Sequence, residues 1–175
     1  MSYCAFVKEL DSSNAHRIYH DTQYGFPIDS DDELFGRLLL EINQAGLSWN
    51  TILNKQENFR KAYSNFNIKK VAHYEDNDKN RLLQDAGIIR NRLKIQAAVH
   101  NAQQILLLQK EFGSFKAWLD SKRDQNLEDW IKLFKKTFKF TGKEITKEFL
   151  MSTGYIPGAH DKHCPTYKKI HESST

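Results

Sequence analysis

Apolar side chains return every third and fourth residue along almost the whole chain: at Leu34, Phe35, Leu38, Leu39 and Ile42, at Phe115, Trp118 and Leu119, at Leu127, Trp130, Ile131 and Phe134, and at Ile145, Phe149 and Leu150. That spacing lays a stripe along one side of a helix. A strand facing a core needs alternation instead, and no alternating run here is long enough to argue for a sheet. The expected fold class is therefore all-α.

Punctuation divides the helices. Acidic residues at 29–33 supply the start of a helix over 31–44, Gly46 stops it, and Ser48 caps a second helix running through Trp49, Ile52, Leu53 and Phe59. Ser12, Ser13 and Asn14 offer caps for a short helix through Ile18 and Tyr19. Ile68 and Val71 suggest a helical turn, and a helix through Leu82 and Leu83 ends at Gly87. A long helix then begins near Arg90 and runs to about Lys110, and Gly113, Gly142 and Gly154 separate three more. With 175 residues, 39% of them hydrophobic, the chain can bury one sizeable core. One domain over residues 1–171 is expected, with a frayed end at 172–175.

The first six residues lack a basic, apolar leader, and no run approaches the roughly 18 apolar residues of a membrane span. A cytoplasmic protein with no membrane partner is expected, and a reducing compartment argues against a disulfide between Cys4 and Cys164. Charge is uneven: residues 1–33 hold seven acids and two bases, leaving 24 of the 26 bases and 15 of the 22 acids to the remainder. A net −5 therefore precedes a net +9, a balance compatible with a polyanionic partner.

Three constellations carry chemistry. The stretch EINQAGLSW at 41–49 sets the Glu41 carboxylate on the margin of an apolar stripe, followed by a turn with Leu47 at its corner and by Trp49. Such a carboxylate needs a partner or a ligand. With Tyr19 and Tyr24 it makes a slot suited to a flat cation. The stretch AGIIRNR at 86–92 joins two helices so tightly that the second presents open amides beside Gly87, with Arg90, Arg92 and Lys94 adding charge; this is a seat for a phosphate. Cys4, His20, His160 and Cys164 are of the types that bind zinc, with His16 and His163 as rival ligands. Two thiolates and two imidazoles close a tetrahedral shell, so such a metal is structural and ties the two ends of the chain together.

On these stretches, together with YHD at 19–21, LQDAGIIR at 83–90 and FKFTG at 138–142, the chain resembles the DNA-3-methyladenine glycosylase I family over nearly its whole length. The resemblance implies a helix-hairpin-helix glycosylase fold, one structural zinc, and excision of 3-methyladenine from double-stranded alkylated DNA by a monomer with no obligate protein partner. It places the base-binding glutamate on Glu41, the stacking tryptophan on Trp49, the pocket tyrosine on Tyr19, and the zinc ligands on Cys4, His20, His160 and Cys164. Phe6 and Tyr24 stand where the family often has tryptophan, and Ile42 and Asn43 replace a pair that commonly contains glycine. Leu47 becomes a wedge into the gap left by a flipped nucleotide, and Gly87 a phosphate contact. No lysine sits in the pocket motif to form a Schiff base, so a monofunctional enzyme is expected. Two other readings share these features: a helix-hairpin-helix DNA-binding zinc protein without excision, and a zinc-stapled interaction domain with no DNA role.

Overall fold

The computed structural model describes residues 1–172; of the expected frayed end, residues 173–175 lie outside the described residues. In chain order the helices are α1 (Tyr3–Lys8), α2 (Ala15–Thr22), α3 (Asp31–Gln44), α4 (Trp49–Asn54), α5 (Gln56–Ala62), α6 (Ile68–Ala72), α7 (Asp76–Gln84), α8 (Arg92–Phe112), α9 (Phe115–Ser121), α10 (Leu127–Thr137), α11 (Lys143–Ser152) and α12 (Pro165–Glu172). Among the described residues there is no strand, as the periodicity requires. No helix there is long and apolar enough to cross a membrane.

The chain divides into two compact units. Among the described residues one comprises 1–27 with 148–172, the other 28–147.

In the second unit α3 is the central element, with all ten residues from Leu34 to Asn43 buried. Ser30 caps it by accepting the Glu33 amide. The Asp31 carboxylate accepts from the Gln109 side chain and from the Phe115 and Lys116 amides, so one carboxylate serves the first turns of α3 and α9 together. Phe115, Trp118, Phe134 and Phe138 form an aromatic cluster with ring centroids 5.3–6.0 Å apart.

Two departures from the sequence reading stand out here. The helix expected to run from Trp49 through Phe59 breaks at Lys55, giving α4 and α5. A left-handed turn, Ser64–Phe66, then follows with φ of 55°, 57° and 60°. It drives the buried Phe66 ring against Gly36, where a Cβ would lie 2.3 Å from a ring carbon. Only glycine fits that point of α3.

In the first unit α1 and α2 carry Tyr3, Phe6, Tyr19 and His20, and α12 follows the segment holding His160 and Cys164. Gly25 has φ of +84°, and a Cβ there would meet the Ala159 side chain at 2.9 Å and the His160 ring at 3.1 Å. The close approach of chain to imidazole therefore depends on a residue without a side chain.

Candidate metal centre and pocket residues

Cys4, His20, His160 and Cys164 converge within the first unit, their four ligand atoms all within 4.8 Å of one another. Asn14 starts the helix that delivers His20, its side chain accepting the His16 amide. A turn closed by the Cys164 amide on the Asp161 carbonyl delivers Cys164. The sulfur-to-nitrogen distances are 3.2 Å (Cys4 to His20), 3.6 Å (Cys4 to His160) and 3.7 Å (Cys164 to His20), and the two imidazole nitrogens lie 3.1 Å apart. A tetrahedral zinc with ordinary bond lengths requires about 3.5 Å for sulfur–nitrogen pairs and about 3.3 Å for nitrogen–nitrogen.

The outer hydrogen bonds fix which nitrogen faces inward. His20 donates from Nδ1 to Asp21 Oδ1 at 2.7 Å, and His160 donates from Nε2 to the Tyr24 carbonyl. Each ring therefore turns an unprotonated nitrogen towards the other and towards the sulfurs. Burial pushes the Cys4 thiol up to about 11, while the Asp161 amide donates to its sulfur at 3.3 Å and pulls in the opposite direction. A set of two sulfurs and two imidazole lone pairs facing one another is stabilised by a cation at its centre. The donor set fits zinc. His16 and His163, the rival ligands, fall outside the cluster, and His16 instead meets the Tyr3 hydroxyl at 2.9 Å.

Around this cluster Tyr24 stacks on Tyr19, with centroids 5.6 Å apart and planes 27° from parallel, and both are buried. Phe6 is 41% exposed and stacks on Tyr3. Tyr3, which the sequence reading passed over, packs edge-on against His20 and Tyr24. Its position next to Cys4 was the available signal.

In the second unit Glu41 is 3% exposed in the last turns of α3. The turn after it has a defined shape: Ala45 at φ −52°, ψ 119°, then Gly46 at φ +82°, closed by the Leu47 amide on the Gln44 carbonyl at 2.7 Å. That is a type II turn, whose third position requires a positive φ. Leu47 projects at 41% exposure, and Ser48 caps α4 by accepting the Thr51 amide, so Trp49 begins α4.

Lys94 departs from its expected place among the surface charges. Its side chain is 6% exposed, and Nζ donates to the carbonyls of Asn43 at 3.1 Å and Ala45 at 2.9 Å. Burial lowers its pKa from the ordinary lysine value. The ammonium caps the carboxyl end of α3 and fixes the turn that carries Leu47. A position three residues after the cap Asn91, on the inward face of α8, accounts for this.

The hairpin between α7 and α8 is also more specific than expected. The amide of Gly87 donates to Asp85 Oδ1 at 2.8 Å, whereas the amides of Ile89 and Arg90 make no hydrogen bond among the described residues. Arg90 and Arg92 are exposed beside them, and α8 begins at Arg92 rather than Arg90.

The profile of the methyladenine glycosylase family matches residues 9–132, which include Glu41, Trp49 and the hairpin and end before His160 and Cys164. The chain is 41% identical over 115 residues to DNA-3-methyladenine glycosylase 1 of Escherichia coli, a match covering 66% of this chain but only 60% of that protein. A crystal structure of a tyrosine-to-phenylalanine variant of 3-methyladenine DNA glycosylase I, in complex with 3-methyladenine, superposes with a TM-score of 0.84 at 32% identity, covering 95% of this chain and 97% of that one. The 3-methyladenine DNA glycosylase I of Staphylococcus aureus gives a TM-score of 0.83 at 32% identity, covering 94% and 95%.

Proposed function

We propose, because this chain belongs to the methyladenine glycosylase family, that it hydrolyses the N-glycosidic bond of 3-methyladenine in double-stranded alkylated DNA, as a monofunctional glycosylase of base-excision repair. The observation that carries this reading is the Glu41 carboxylate, held almost wholly out of solvent at the end of α3, beside a rigid turn and Trp49.

Methylation at N3 leaves the adenine cationic while it is still attached to the sugar, so the bond to the sugar is already weak and the base departs neutral. The enzyme's work is then recognition and positioning. The target nucleotide leaves the stack. Trp49 holds the charged ring by its face, and Glu41 accepts its amino hydrogens. A water oxygen attacks the sugar carbon C1′, the carbon–nitrogen bond breaks, the base keeps the bonding pair, and the water's proton passes to solvent. Lys94, the only lysine among the buried charged residues described, has its ammonium held by two carbonyls, which fits hydrolysis without a Schiff base.

Leu47 fills the gap left in the duplex, and a backbone phosphate sits on the Ile89 and Arg90 amides at the Gly87 hairpin, with Arg90 and Arg92 beside it. Cys4, His20, His160 and Cys164 hold one zinc. With these four residues as its ligands, a zinc there would cross-link the segments that carry them and serve a structural role.

The test is release of free 3-methyladenine from methylated duplex DNA. Zinc-loaded, folded protein that releases none overturns the enzymatic reading, and salt-sensitive retention of DNA without release identifies a binding protein instead. Glu41→Gln is expected to fold normally and to lower release by about tenfold or more; unchanged release removes Glu41 from its assigned role.

A further inference from the structure

Phe140 has φ of +61° and is 42% exposed. Left-handed backbone is unfavourable for an aromatic residue, and so is an apolar ring in water. Glycine or asparagine at this position would avoid both costs. The other left-handed phenylalanine, Phe66, is buried; Phe140 makes no ring contact among the described residues.

Its conformation is imposed by buried polar side chains on either side. Asn101 of α8 accepts the Lys139 amide at 2.8 Å and donates to the Lys139 carbonyl at 3.1 Å. Thr141 donates to the Phe134 carbonyl at 2.9 Å, and Thr146 donates back to the Thr141 carbonyl at 3.1 Å. Both neighbours of Phe140 are thereby fixed, and the ring is presented to solvent before any partner arrives.

The surroundings identify the partner's charge. Lys132, Lys135, Lys136, Lys139 and Lys143 are exposed and enter no ion pair among the described residues, and Glu144 is the one acid between residues 130 and 147. The same face of α8 anchors both this segment and the Leu47 turn. Lys94 holds the turn and Asn101 holds Lys139, and both residues line one small hollow with Asn43 and Ala98. The anchors stand seven positions apart on α8 (94 to 101), or about 10 Å, which is about three base steps.

We infer that Phe140 is a second nucleic-acid contact, stacking on a base of the duplex at a point separate from Leu47, while Lys139 and Lys143 neutralise phosphates beside it. This rests on the DNA reading above and extends it. The ring supplies a salt-independent contribution and the lysines a salt-dependent one.

The experiment uses a short duplex containing a stable abasic-site analogue with the fluorescent base 2-aminopurine placed at successive positions around it. Phe140→Gly and Phe140→Asn both suit a positive φ, so both are expected to keep or raise the thermal midpoint. Each should weaken binding by about tenfold with an unchanged salt slope, and abolish a fluorescence change seen with the unmodified protein at one 2-aminopurine position. Lys139→Gln with Lys143→Gln should instead reduce the slope of log K against log salt by about two. Binding by the Phe140 variants within twofold of the unmodified protein overturns the inference and leaves the DNA reading intact. So does unchanged DNA binding accompanied by loss of self-association in sedimentation, which would make the ring a contact between copies. Failure of the unmodified protein to bind either this duplex or methylated DNA overturns both.

Discussion

Lys94 shows how one side chain decides the shape of the corner that carries Leu47. Its ammonium satisfies two carbonyls at the end of α3, where the helix has no basic residue of its own in the last turn. A charge-assisted hydrogen bond of this kind contributes about 1.5–3 kcal/mol, and removing the donor also leaves buried carbonyls without a partner. Lys94→Met is therefore expected to lower stability by about 2–3 kcal/mol in chemical denaturation. The same variant should leave the salt dependence of DNA binding unchanged, whereas Arg90→Gln should reduce that slope by about one. A reduced slope for Lys94→Met would return Lys94 to the surface. The Glu41 carboxylate, the Gly46 turn and the Ser48 cap were legible because short-range rules govern them. The direction of Lys94 was not, because its burial depends on a turn about fifty positions earlier in the chain.

At the level of elements, polar side chains at helix starts add to the stabilisation that the apolar stripes supply. Glu33, in the first turn of α3, accepts from both terminal guanidinium nitrogens of Arg60 on α5, at 2.7 and 2.9 Å, and Arg60 also lies over the Phe66 ring. The hydrogen bonds from Arg60 hold the Glu33 carboxyl below its ordinary value of 4.5. A carboxyl depressed on folding stabilises the protein above its unfolded pKa and loses that contribution as pH falls through the folded one. Glu33 is partly exposed, so the pair contributes about 1 kcal/mol or less. The thermal midpoints of the unmodified protein and Glu33→Gln should differ at pH 6–7 and converge below pH 4.5; a constant difference would exclude the ion pair as its source. Long periodic helices such as α3 and α8 could be read from sequence. α1 and α12 could not, since each buries a single residue, Val7 and Thr166. The left-handed turn was invisible as well: of Ser64, Asn65 and Phe66 only asparagine favours that backbone, and the turn is compatible with the buried Phe66 only because position 36 is glycine.

For the molecule as a whole, the cluster of Cys4, His20, His160 and Cys164 was visible as four residue types near the two ends of the chain, but which histidines join it is decided by geometry. His16 carries the same imidazole as His20 and lies on the same helix, yet faces Tyr3 instead. Elemental analysis should find about one zinc per chain, and chelation should lower the thermal midpoint and speed proteolysis within residues 1–27 and 148–172. A chain containing no zinc, or a midpoint indifferent to chelator, would exclude the tetrahedral assignment. Proteolysis within residues 28–147 should change less, since every ligand lies outside them.

The spread of this cluster along the chain sets a schedule for its assembly. Cys4 and His160 are separated by 156 positions, so a ribosome adding about 5–20 residues per second makes the first of these residues roughly 8–30 seconds before the third. During that interval residues 28–147, which form the second compact unit, are synthesised. The opening 27 residues must wait. Until translation reaches Cys164, Cys4 and His20 are an incomplete pair of soft donors, open to any thiophilic metal or oxidant in the cell, and completion of the chain is what withdraws them from that chemistry.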